Sequence, residues 1–371
     1  MFRAGYIIDR RQDAFWFIGL PFLAIVAALA SQRWLSVVAL ASCGLWITLP
    51  HHFAGWLRTY AIPDELRYYR GRLIAGPLVI AAGTLLGLWI APITLLLLVT
   101  MWDHQHSLMQ QHGFSRIYDF KAKTGAPSTP RFDLTLMWVL YVNLFLTSPF
   151  FTEFWVRELY RYQLSISADA VRMVHTLSWG ITLAYLVVYA GHLVWCVVNG
   201  HRLNHWKYGF IASSFFLWYY VSWQVDSLLV YGIAHKIMHG VQYIVFVVFY
   251  LRHKFNQEEQ APKSDSSSRS PHWLQVLLQP RHVLAFVALS ALYALFFQLI
   301  ARQPLSEFGF GLNNFSEVYG TPIPEHGMQT MSEEASYHMY AGTIIYTTQL
   351  LHYYIDSFIW KVRDKKVQSA L

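Results

Sequence analysis

Between Arg72 and Asp103 the chain reads LIAGPLVIAAGTLLGLWIAPITLLLLVTMW, with no charged residue. A soluble domain has little room to hide such a run, whereas one transmembrane helix needs about 20 consecutive apolar residues. The stretch therefore holds two spans. Pro92, near its middle, marks the tight turn between them, because proline removes a helical hydrogen bond and clashes with the preceding turn. The rest of the chain agrees. Of its 371 residues 55% are hydrophobic and 13% charged, against about 25% charged in ordinary soluble proteins. The mean hydropathy is +0.31.

The expected fold is all-α, a polytopic transmembrane helical bundle of about ten spans. They lie near 13–31, 34–56, 73–90, 92–112, 133–152, 173–198, 209–225, 228–251, 282–301 and 338–360. Asp226-Ser227 is a natural N-cap between the seventh and eighth. The first apolar run follows Asp9, Arg10 and Arg11 and has no small-residue cleavage site after it. It reads as a retained span and not as a signal peptide.

Lysine and arginine orient the bundle. With the N-terminus inside, most of the 28 basic residues fall in cytoplasmic segments, and the outer segments hold only Arg33, Arg157, Arg161, Arg172 and Arg302. This is the positive-inside bias, so both termini are expected in the cytoplasm; in a bacterium the membrane would be the cytoplasmic one. Residues 1–255 form an eight-span core. Residues 256–271, polar and Ser-rich, read as a flexible cytoplasmic linker. Residues 272–371 form a two-span C-terminal unit with an outer loop at 303–337, completing the same bundle.

Two classes of function drop out early. Cys43 and Cys196 form no CxxC pair, which argues against a disulfide framework, thiolate zinc or dithiol chemistry. The net charge of +7 is spread over separate loops and suits anionic lipid headgroups better than nucleic acid.

Histidine then stands out, because 17 are present and many lie within or at the ends of the apolar runs. An ionisable group in hydrocarbon faces a bundle interior, a cavity or a partner, and imidazole is the commonest metal-ligand side chain. At 1.5 Å rise per residue, His104, His106, His239, His352 and Asp356 reach a similar depth in the inner half of the bilayer, with His52 near the cytoplasmic end of its span. His235 and His239 are i, i+4 and share a helical face, as do His352 and Asp356. His104 and His106, at i, i+2, face opposite ways on a regular helix. His51 and His52 sit at headgroup level, where one of them serves as a ligand or neither does. The expected metal ligands are His52, His104, His106, His235, His239, His352 and Asp356. The run Arg116, Tyr118, Asp119 and Lys121 either lines a cytoplasmic entrance or is a solvated loop.

Imidazoles with a carboxylate and no thiolate suit iron, copper or zinc. The HExxH motif of zinc hydrolases is absent. On His104, His106, His235, His239 and His352, spread over several helices, the chain resembles the broad group of His-rich integral-membrane non-heme iron oxygenases. That group includes lipid desaturases and hydroxylases and the membrane carotenoid-cleaving dioxygenases. HxxxH occurs here at His201/His205 and at His235/His239, and HxxHH not at all. The resemblance implies a mono- or dinuclear non-heme iron, O2 as co-substrate, a lipid-like or isoprenoid substrate and a cytoplasmic electron donor. Two other readings stand beside it. One is a proton- or metal-coupled transporter, which Lys236 beside His235 would suit. The other is a b-haem electron carrier with histidine pairs as axial ligands.

Overall fold

The computed structural model describes residues 2–225, 228–260, 270–300 and 333–371. Among them the protein is all-α, with one isolated β-bridge between Phe2 and Leu203 and no strand. The helices are α1 (Arg10–Trp34), α2 (Val37–Thr59), α3 (Pro63–Tyr68), α4 (Arg70–Ile90), α5 (Pro92–Ala122), α6 (Thr129–Thr147) and α7 (Pro149–Arg161). They continue with α8 (Ala168–Val198), α9 (His205–Gln224), α10 (Leu228–Gln260), α11 (His272–Leu277), α12 (Val283–Ile300), α13 (Glu333–Ile359) and α14 (Lys365–Ser369).

Among the described residues, five helices are long and apolar enough to cross a membrane: α1, α4, α8, α10 and the helix Pro280–Phe297 that contains most of α12. A sixth span is reached if α6 and α7, which meet at 70°, count as one broken span. The bend has a local cause. Ser148 precedes Pro149, which disfavours helical backbone at Ser148, and it is extended with its side chain capping Phe151 N–H. Pro92 likewise opens α5 after the single non-helical residue Ala91. Some expected boundaries shift. α5 continues to Ala122, α10 runs into the expected linker as far as Gln260, and α13 begins at Glu333 inside the expected outer loop. Residues 226–227, 261–269 and 301–332, which include the Asp226-Ser227 cap and most of the expected linker and outer segment, lie outside the described residues.

The chain divides into two compact units whose boundary falls within α5 and α10. The first contains Met1–Trp34 and Ser107–Met238. Here α6 packs on α8 and α9 on α1, and Phe17, Phe114 and Phe210 meet edge-on. The segment GFSRIYDFKA is not a loop: it is the last part of α5, and Tyr118 and Asp119 are buried. Lys207, fully buried at the start of α9, bonds Asp119 Oδ2 and Asp133 Oδ2 at 3.0 Å each.

The second unit contains Leu35–His106 and the described residues of His239–Asn314 and Pro324–Leu371. α13 packs on α4 and α2, and α12 on α2. Gly76 permits the first contact, since a Cβ there would stand 2.6 Å from Cε1 of Tyr354. One end is fastened by charge. Glu65 of α3, 1% exposed, lies 3.7 Å from Arg58 and 3.2 Å from both Lys254 and Lys366. Arg58 also donates to the Ile359 carbonyl and stacks over Trp360 and Tyr250.

Burial alone pushes the Glu65 carboxyl up, but Arg58, then Lys254 and Lys366, outweigh it and hold the carboxyl below its usual range. A group depressed on folding adds stability above its unfolded pKa of about 4.3 and loses it as pH falls through the folded value. Thermal melts of the detergent-solubilised protein should therefore weaken as pH drops below about 4.5. Glu65→Gln should lower stability at neutral pH by about 1–3 kcal/mol and flatten that acid slope. An unchanged slope in the variant would remove Glu65 from the acid response.

Candidate metal centre

Four helices of the second unit bring five imidazoles and a carboxylate together. α2 supplies His51 and His52, just after Pro50; α5 supplies His106; α10 supplies His239; α13 supplies His352 and Asp356. All five histidines are buried, and the Asp356 side chain is 6% exposed. Their ligand atoms fall into two triads, His51/His52/His352 and His106/His239/His352, within each of which they lie within 4.8 Å of one another. His352 belongs to both. The ring centroids of His352 stand 4.6 Å from His51, 4.5 Å from His52 and 4.9 Å from His106. His239 closes the group at 4.9 Å from His51 and 5.0 Å from His106.

Asp356 extends the second triad. Its Oδ2 lies 3.6 Å from Nε2 of both His106 and His352. That is too long for a direct hydrogen bond. It is near the separation of about 3.0–3.4 Å that two ligand atoms keep across one ion with bonds of about 2.0–2.1 Å. The other oxygen, Oδ1, accepts from the Tyr243 hydroxyl at 2.8 Å. A second tyrosine–carboxylate pair flanks the group: Tyr353 donates to Asp103 at 2.9 Å and stacks on His106. Glycines make the room. A Cβ at Gly240 would stand 3.4 Å from His51 Nδ1, and one at Gly55 would stand 3.0 Å from the Tyr243 hydroxyl and 3.5 Å from His352 Nδ1.

Of the residues expected as ligands, His52, His106, His239, His352 and Asp356 meet here. His104 and His235 do not. α5 is regularly helical through both His104 and His106, so only one of the two can face the group, and His106 does. His104 donates from Nδ1 to the Thr100 carbonyl one turn back on its own helix. His235 belongs to the first unit, where Trp218 donates to its Nδ1 at 2.9 Å and its Nε2 lies 2.9 Å from Ser107 Oγ. Since Nδ1 accepts, a neutral ring carries its proton on Nε2 and donates to the serine. His51, read together with His52 as a pair of which one or neither would ligate, stands inside the group beside His52, because α2 continues two turns beyond it to Thr59. The two tyrosines gave only a faint signal: Tyr243 lies one turn beyond His239 on α10, and Tyr353 follows His352 directly.

Buried imidazoles from separate helices with one oriented carboxylate form a donor set for a borderline transition metal. The two cysteines take no part in either triad; Cys196 lies against His192 and Thr129 in the first unit. The chain matches no protein-family model, no curated protein and no solved structure.

Proposed function

We propose that the chain is a multi-pass integral-membrane, metal-dependent oxidoreductase whose histidine centre holds non-heme iron and acts with O2 on a lipid-like or isoprenoid substrate. The observation that carries this reading is the convergence of His51, His52, His106, His239, His352 and Asp356 in one buried group without a thiolate. Copper and zinc are the alternatives the same donors allow. Two imidazoles and a carboxylate with further positions open is the pattern of iron(II) oxygenases, and His106, His352 and Asp356 offer it. Iron held there supplies one-electron chemistry and O2 activation.

The residues do the rest. His106 is stacked against Tyr353 and His51 is packed beside Gly240, so the rings are held in orientation before a metal arrives. Burial keeps bulk water from the reacting groups. An apolar substrate and O2 both concentrate in the bilayer, and an electron donor would reach the centre from the cytoplasmic side.

The ten-span arrangement belongs to this proposal. Besides the five strongly apolar helices and the bent α6–α7 pair, α2, α5, α9 and α13 have 23, 31, 20 and 27 residues, enough for the roughly 20 a span needs. Three of these four carry ligands of the centre. The lysine and arginine bias supports cytoplasmic termini.

The test is elemental analysis of the purified full chain, with an optical spectrum of the same sample. Iron bound to the protein and no Soret band is the expected result. Protein free of iron, copper and zinc sinks the reading, and a Soret band favours the haem carrier.

A further inference from the structure

We infer that Tyr243 is the positioning residue of the centre: its phenol fixes the Asp356 carboxylate so that Oδ2 is the oxygen presented to His106 and His352. This rests on the metal reading above and says how the only carboxylate in the ligand group is held. A carboxylate on a flexible side chain offers two equivalent oxygens and turns freely unless one is engaged. Tyr243 engages Oδ1 at 2.8 Å, which leaves Oδ2 at 3.6 Å from both imidazole Nε2 atoms.

The phenol is itself tightly placed. The Trp360 indole donates to its oxygen at 3.4 Å, so the oxygen accepts one bond while donating the other. Its ring stands edge-on to His51 and His352, with centroids 5.9 and 5.3 Å apart. Arg58 stacks on the far partner, Trp360, at 4.0 Å. Gly55 leaves the space the hydroxyl occupies, because a Cβ there would approach it to 3.0 Å. One helical turn separates Tyr243 from His239, so α10 carries a ligand and the orienting group for another ligand on the same side.

Tyr353 and Asp103 provide a control of the same chemistry. Their hydrogen bond is as short, at 2.9 Å, but Asp103 belongs to neither triad. Partners that orient metal ligands typically contribute about 10–100-fold to affinity, and that factor is expected at Tyr243 and not at Tyr353.

The experiment is competition between a chelator and the full-length protein in detergent for iron(II), without oxygen, with helical circular dichroism and a single elution peak required of each variant. Tyr243→Phe is expected to weaken iron(II) binding about 10–100-fold and to change the optical signature of the bound metal. Asp356→Asn should weaken it at least as much, and adding Tyr243→Phe to that variant should change it no further. Tyr353→Phe should leave affinity within about threefold of wild type, since it retains the ring on His106. Gly55→Ala, which drives a methyl onto the phenol oxygen, should weaken binding even if Tyr243→Phe does not fold.

The outcomes separate cleanly. If the unmodified protein binds no iron(II), the metal reading fails and this inference with it. If it binds iron(II) and Asp356→Asn loses it while Tyr243→Phe and Gly55→Ala do not, the metal reading stands and the role of Tyr243 falls. Effects of Tyr243→Phe and Asp356→Asn that multiply in the double variant would also overturn it, since the phenol would then act through something other than Asp356.

Discussion

A His352→Ala protein is expected to lose its metal, with affinity falling by more than about 100-fold, beyond what outer-shell changes cost. The size of the effect follows from position. His352 is the residue common to both triads, and its ring is in contact distance of His51, His52 and His106. Removing it takes a donor from every arrangement of ligands that the group offers. The fold should survive, because α13 is also held by its packing on α4 through Ile355, Phe358 and Ile359. His104→Ala is the matching control: that ring bonds its own backbone, so metal content should stay near wild type. His235→Ala should also keep its metal while losing about 1–3 kcal/mol of stability, since it strands the Trp218 N–H. The measurement is metal per folded chain for the three variants. A His352→Ala protein with wild-type metal, or a His104→Ala protein without any, would remove the group from consideration as one centre.

The contrast among these histidines shows what the sequence could and could not convey. Spacing placed His104 and His106 on opposite faces of α5, and that geometry holds. It could not say which face meets the other histidines, because the choice is made by Tyr353 stacking on His106 from another helix. Spacing placed His235 and His239 on one face of α10. Even so, a separation of one turn, about 5–6 Å, gives the two rings different neighbours, Trp218 and Ser107 for one and His51 and His106 for the other. His51 was hidden for another reason. Apolarity fades near residue 56, but α2 persists to Thr59, held by Arg58 inside a charged network that hydropathy counts as polar surface.

The same blindness covered the Arg116–Lys121 run and the end of α5. Charges there are buried and paired through contacts distant in sequence, as between Asp119 and Lys207. Periodicity and apolar length therefore located most of the helices and most of the residues that meet in the histidine group. The partners that turn each polar side chain are long-range facts.

Lys207→Met should be the most destabilising single change in the first unit, by about 3–5 kcal/mol. Lys207 Nζ sits 3.0 Å from both Asp119 Oδ2 and Asp133 Oδ2, with all three side chains at most 2% exposed. The two carboxylates flank the buried ammonium on Nζ and balance its charge. The carboxylates are committed elsewhere as well, Asp119 to Arg116 and Thr124 and Asp133 to Tyr189. None of those partners replaces the lost charge at the centre of the trio. Methionine fills the volume and leaves two buried carboxylates facing each other, the costly half of a broken ion pair.

For a chain of this size the loss corresponds to a fall in Tm of about 4–6 °C. Lys207→Met with Asp133→Asn should recover part of the loss at pH 7, since the amide still accepts from Tyr189. A variant that melts within about 1 kcal/mol of wild type at neutral pH would show the trio to be replaceable packing rather than a buried charge balance.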